Sequence, residues 1–228
     1  MARIDTLANF ITDIVIAIKS KTGKSELITP ANFDTEINSI KAGGSTGKYA
    51  PRFIKFTNYS GEDLAYELEN IDFSNITTFS SMFDGCKNVK NIDLSNHNIP
   101  AVTTVGNAFY NCEKLLELKF GAFDSSKITA MNSTFKNCYL LKRIDLSSWT
   151  STKKITNMDS TFYSCKALEY LDLRTIDFYF VEKYSYMLNY VPTTCEIIVK
   201  DSTSKKFFTN KFSTYTNVKT VAELEAEQ

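Results

Sequence analysis

The sequence predicts an α/β solenoid of about five to six coils, a parallel strand ladder with short helices, preceded by an N-terminal helical hairpin. Three observations predict it. Five cysteines fall at 86, 112, 138, 165 and 195, with successive gaps of 26, 26, 27 and 30, and a period near 26 lies in the leucine-rich-repeat range. An apolar alternation follows each of the first four cysteines at the same distance. A separate pair of amphipathic stretches occupies the first 42 residues.

The strand of each coil comes from that alternation. Counting from each cysteine, offset six holds Ile92, Leu118, Ile144 and Leu171, and offset eight holds Leu94, Phe120, Leu146 and Leu173. Apolar residues two apart with a polar residue between them are the period of a half-buried strand. The short helix of each coil comes from offsets sixteen, nineteen and twenty-three. These hold Val102, Val105 and Phe109, then Ile128, Met131 and Phe135, and one place later Ile155, Met158 and Phe162. Spacings of three and four put such residues on one helical face. Thr77, Thr103, Thr129 and Thr156 stand just before these turns as candidate caps.

The register extends in both directions. Tyr66, Leu68, Ile76, Phe79 and Phe83 fill the columns of an earlier coil, and Val191 takes the cysteine place of the last, with "CEIIVK" as its strand. Cys195 is then out of register. The repeats span 51–200, and the polar stretch 201–228 is expected to cap the exposed end of the core.

Residues 1–42 read differently. Leu7, Phe10, Ile11, Ile14, Val15 and Ile18 recur at three and four, as do Phe33, Ile37 and Ile40 after the Thr29–Pro30 start signal. Two helices with one stripe each bury too little surface to stand alone, so an attachment or oligomerisation role is expected of them. "GGSTGK" places a flexible linker within 43–50.

Composition narrows the function. Lysine plus arginine equal aspartate plus glutamate at 26 each, so no charge excess favours nucleic acid or an anionic membrane. The amino terminus has no basic start or small-residue cleavage site, and no apolar run reaches the ~18 residues of a membrane span. Synthesis in a cytoplasm without a signal peptide is expected. The cysteines lie a full coil apart and His97 is the one histidine, a poor set for zinc or for a thiol nucleophile with its base. They are expected to be free thiols packed as small hydrophobes. His97 and Trp149 share an internal column with Ile71, Phe123 and Ile176. No cofactor, no metal and no catalytic constellation are expected, and the chain does not read as an enzyme.

If the array binds a partner, the outward strand columns are the first candidate face: Asn91, Glu117, Arg143 and Tyr170 at offset five, and Asp93, Lys119, Asp145 and Asp172 at offset seven. The second candidate is an aromatic patch of Tyr179, Phe180, Tyr186 and Tyr190, which fall outside the internal columns and either pack against the cap or form a sticky surface.

The phrases "SNITTFSSMFDGCKNVKNIDLS" and "ITNMDSTFYSCKALEYLDL" resemble the BspA-like leucine-rich repeats over about 51–200. That resemblance implies a recognition module of a bacterial surface or phage protein. The end, from "IIVKDSTSKK" to "AELEAEQ", is similar to the closing segment of such arrays. The opening "TLANFITDIVIAIKSKTGKSELITPANFDTEINSIKAGG" resembles the amino-terminal segment of tail and appendage proteins in phages of low-GC Gram-positive bacteria. It implies a homo-oligomeric virion structural protein of the tail, baseplate or head appendage, attached to other virion proteins through its N-terminal helices, with receptor-binding repeats that touch a host surface glycan or protein. The alternatives are a purely structural virion subunit and a bacterial surface adhesin.

Overall fold

The computed structural model describes residues 54–69, 71–100, 102–150 and 155–227. The expected attachment helices (Leu7, Phe10, Ile11, Ile14, Val15, Ile18, Phe33, Ile37 and Ile40) and the 43–50 linker lie outside them.

The described chain is a parallel-strand solenoid of about four turns with few helices. Its strands are β1 (Asn91–Leu94), β2 (Glu117–Phe120), β3 (Arg143–Asp145), β4 (Tyr170–Leu173), β5 (Glu196–Val199) and β6 (Val218–Thr220). All pair in parallel, and matched offsets sit side by side: Ile92 with Leu118, Ile144 with Leu171, and Leu171 with Ile197. The ladder falls into two sheets, β1-β2 and β3-β4-β5-β6.

The core follows the columns read from the sequence. Leu94, Val105, Phe109, Met131, Phe135, Ile144, Met158, Phe162 and Leu171 are all buried. Phe56, Phe83, Phe109, Phe135 and Phe162 stack face to face along the solenoid axis, with centroids 5.4, 5.3, 5.3 and 5.7 Å apart. Each of the first four cysteines lies beside this stack and donates its thiol to a phenylalanine carbonyl of the preceding coil. Cys86 bonds Phe56, Cys112 bonds Phe83, Cys138 bonds Phe109 and Cys165 bonds Phe135, at 3.1–3.2 Å. All five described cysteines, Cys195 included, are free and buried.

Two expectations are corrected. The segments expected to be short helices are strings of turns. Two residues per coil adopt left-handed backbone: Ser81 and Gly85, Asn107 and Asn111, Ser133 and Asn137, Ser160 and Ser164, Tyr186 and Tyr190. A left-handed residue every fourth position stops an α-helix, and only small or amide side chains take it readily. Alternate amides then bond within the turn and to the next coil: Cys112 N–H bonds the Phe109 carbonyl, whereas Phe109 N–H bonds that of Thr134 at 2.8 Å. The threonines expected as caps bond each other instead, Thr103 N–H to Thr77 and Thr156 N–H to Thr129.

The second correction concerns the earlier coil. Its expected strand around Tyr66 and Leu68 is a helix, α1 (Ala65–Glu69), with Leu68 buried and Tyr66 exposed. Asp63 starts this helix by accepting the Ala65 N–H at 2.8 Å, and the strand ladder begins one coil later.

At the other end, α2 (Ser202–Lys211), β6 and α3 (Val221–Glu225) follow the last coil. Asp201 caps α2 through the Ser204 N–H, and Thr220 with Glu223 forms a capping box on α3. Buried Phe208 packs on Phe178 with centroids 5.0 Å apart, closing the core.

Candidate functional site

The outward face of the strands is where successive coils place side chains that the core does not use. Alternation along each strand puts Asn91, Asp93, Glu117, Lys119 and Arg143 in solvent, and leaves Tyr170 and Asp145 partly covered. Asp172 is buried, so it does not belong to an open face. Its carboxylate accepts Arg174 Nη2 at 2.6 Å, Arg174 Nε at 2.9 Å and the Tyr170 hydroxyl at 3.0 Å. This pairing pushes the Arg174 guanidinium pKa further up. Tyr170 in turn lies under the Arg143 guanidinium, 3.7 Å from ring centre to Cζ.

The offset-seven aspartates also serve the fold. Asp93 accepts the Ser95 N–H at 2.8 Å, Asp145 that of Ser147 at 2.9 Å and Asp172 that of Arg174 at 3.1 Å. Each closes the turn after its strand, as aspartate does when it replaces a backbone acceptor two residues on. The Ser95 hydrogen bond holds the Asp93 carboxyl below the usual range. Lys119 stands in this column in the remaining coil, paired with Glu117 at 3.0 Å, which raises its pKa.

The face is interrupted at one place. Among the described residues no ladder pair joins β2 to β3, and a cleft of about 610 Å³ opens there. Glu117, Lys119, Arg143 and Asp145 line it, with Leu116, Leu118 and Phe120 as its apolar wall and Ser147 and Ser148 at its rim. The cause is aromatic bulk. Phe120 occupies the column held elsewhere by leucine or valine, and it meets Phe109, Phe123 and Trp149 edge to face with centroids 6.0, 5.7 and 5.3 Å apart. Three rings and an indole need more room between coils than aliphatic side chains do. Leu118 and Phe120 are accordingly only partly buried.

The cleft thus gathers four of the eight strand-face residues read from the sequence. Asn91 and Asp93 stand a coil away, and Tyr170 and Asp172 form their own network. Sequence reasoning missed Leu116, which is 50% exposed, and it missed the opening itself. Phenylalanine in a leucine column one coil before a tryptophan was the available signal. The volume suits a small ligand or a few residues of a larger one, and the walls offer both charges, hydroxyls and an apolar surface.

The second candidate divides. Tyr179 and Phe180 form an edge-to-face pair with centroids 5.1 Å apart, within a 3-10 turn (Phe178–Phe180) in which Asp177 accepts the Tyr179 N–H. Tyr186 and Tyr190 lie instead on the turn side of the solenoid, where Tyr190 meets Tyr163 at 5.3 Å. Among the described residues no group of three or more histidine, cysteine or acidic side chains is placed to hold a metal ion. No described helix is long and apolar enough to cross a membrane.

A stack of near-identical coils with a buried phenylalanine and cysteine column defines the chain as a repeat solenoid. Residues 55–119 and 77–200 match the family described as "Mycoplasma protein of unknown function, DUF285", and the chain belongs to that family. Family and fold together are compatible with a BspA-like repeat protein. No curated protein and no solved structure matches the chain.

Proposed function

We propose that the chain is a non-enzymatic recognition module of a phage particle: it forms a homo-oligomer, its N-terminal segment joins other virion proteins, and the repeats meet a host surface glycan or protein. One observation carries the recognition half. The solenoid holds the strand-face side chains on a rigid ladder whose core is closed against itself, and it concentrates Glu117, Lys119, Arg143 and Asp145 at one cleft that packing leaves open. The virion half rests on the likeness of 1–42 to phage appendage segments. The family description names a Mycoplasma protein, which favours a cellular over a phage origin and with it a second reading, the bacterial surface adhesin.

Particles lacking the protein test the first reading. Poor adsorption to host cells, restored by supplying the chain in trans during assembly, is the expected result. Normal adsorption would leave a purely structural virion role, and recovery of the protein from the cell envelope with none in purified particles would favour the cellular reading.

A further inference from the structure

The turn side of the solenoid carries a second surface, independent of the strand-face cleft. At each coil its backbone passes twice through the left-handed region. Four coils meet that demand with serine, asparagine or glycine, and the last coil alone uses tyrosine, with φ of 58° at Tyr186 and 65° at Tyr190. A bulky side chain in this region is an outlier. Burial does not offset the strain, because Tyr186 is 64% and Tyr190 65% exposed. Strain retained without a packing return points to a use outside the fold.

The neighbours of these tyrosines suggest the use. Tyr190 is edge-on to Tyr163, and the Lys136 ammonium, in the coil between Tyr163 and Tyr110, lies 4.9 Å over the first ring and 5.8 Å over the second. Lys166 lies 5.1 Å over Tyr139. Among the described residues neither lysine has a carboxylate partner, whereas Lys87, Lys90, Lys119 and Lys142 each pair with a glutamate. Desolvation, and then the neighbouring Tyr190 phenol, raise the pKa of the Tyr163 hydroxyl. Rings, hydroxyls and cations that lie over π-faces therefore share one stripe across four coils.

We infer that this tyrosine-lysine stripe is a binding surface for an anionic glycan. Tyrosine faces stack on the C–H faces of sugar rings, the phenols and turn asparagines match sugar hydroxyls, and the lysines take carboxylate or phosphate substituents. The coil repeat, 5.3 Å in the phenylalanine column, is of the same order as the step between sugar rings in a linear chain. Nucleic acid is the weaker fit, because each contacted backbone phosphate draws on its own cation and this stripe supplies Lys136 and Lys166 among its tyrosines, whereas the many neutral hydroxyls of a glycan are met by the phenols.

Affinity electrophoresis of the full chain through gels containing polygalacturonate, phosphomannan or neutral dextran tests the inference, with oligothymidylate as a competing polyanion. Retardation is expected with polygalacturonate or phosphomannan, the two arms separating carboxylate from phosphate recognition, and none with dextran. The double variant Tyr186→Asn/Tyr190→Asn, which suits left-handed backbone, should bind at least tenfold more weakly while melting at or above the parent temperature. Lys136→Gln should weaken binding several-fold and flatten its salt dependence. The inference is overturned if neither anionic polysaccharide binds, if dextran binds as well, if oligothymidylate binds more tightly, or if the double variant keeps the parent affinity.

Discussion

The two long sides of this solenoid solve the same stacking problem differently. On the turn side every coil bonds the next through alternate amides, and the series continues between the coils of Cys112 and Cys138 through Asn107 to Asn132, Phe109 to Thr134 and Asn111 to Lys136. On the strand side the ladder is interrupted at that same junction. The continuity of the array therefore resides in its turns, where a stacked phenylalanine and a thiol-carbonyl bond back each rung. The strand side can open to form a cleft without dividing the core.

The largest expected effect tests that assignment. Phe135→Ala removes the ring between Phe109 and Phe162 and should cost about 3–5 kcal/mol, whereas Leu118→Ala on the open strand side should cost about 1 kcal/mol. Urea unfolding measures both. Equal losses would mean that the two sides contribute alike.

A smaller effect is expected at Gly121, just after β2. A β-carbon there would lie 2.6 Å from the carbonyl oxygens of Ser95 and His97 and 2.9 Å from that of Leu94, all backbone atoms that cannot swing away. Gly121→Ala should cost about 1–3 kcal/mol and displace β2 from β1, the pair that the turn side alone would then hold together. An unchanged melting temperature would show that the strand side has slack even where it is paired.

Next comes the cysteine column. Cys138→Val keeps an apolar side chain, as Val191 does in the last coil, but removes the thiol donor to Phe109, at a cost of about 1 kcal/mol. Burial pushes the Cys138 and Cys165 thiols above their ordinary range. Alkylation at pH 8 should therefore be negligible in the native protein and complete in denaturant. Rapid native alkylation would mean that the coils part on the turn side, contrary to the hydrogen-bond pattern.

The columns that became core were legible because gaps of 26, 26 and 27 separate the first four cysteines, and Phe109, Phe135 and, one place later, Phe162 are where the count from the preceding cysteine places them. The turn conformation was not legible from that count. Apolar residues at sixteen, nineteen and twenty-three fit a helix as well as a turn string, and Ser133 or Asn137 in a left-handed turn reads as a polar helix position. Buried Thr134 and Thr161 were missed for a related reason. Their hydroxyls bond the Met131 and Met158 carbonyls at 2.7 Å, which satisfies inside the core a residue type that pattern reading assigns to the surface. The strand-face residues were readable as a column, but the cleft depends on rings from two coils, Phe120 and Trp149, meeting in space. The place of Tyr186 and Tyr190 outside the apolar columns fits packing against the C-terminal cap as well as exposure, and their exposure and backbone strain both required the structure.

The smallest expected effect concerns acid, and it separates the two sides once more. Partial burial acts to raise the pKa of Asp145, but the Ser147 hydrogen bonds and the Arg143 guanidinium outweigh it and hold the carboxyl below its usual range. A carboxyl with a depressed folded-state pKa contributes its full stabilisation above the unfolded value, about 3.9 for aspartate, and loses it as pH falls through the folded value. A third of the Asp145 side chain is exposed, and screening by solvent limits the contribution to less than about 1 kcal/mol. Asparagine at 145 retains an oxygen for the Ser147 N–H but loses the charge facing Arg143. Asp145→Asn should therefore be slightly less stable than the parent at pH 7, and the difference should vanish in melts taken below the folded pKa. The turn side closes its rungs with backbone carbonyls and thiols, so substitutions there should keep a constant penalty across the same range. A gap between Asp145→Asn and the parent that persists undiminished into strong acid would show that the charge does not contribute and that the aspartate acts only as a neutral acceptor in its turn.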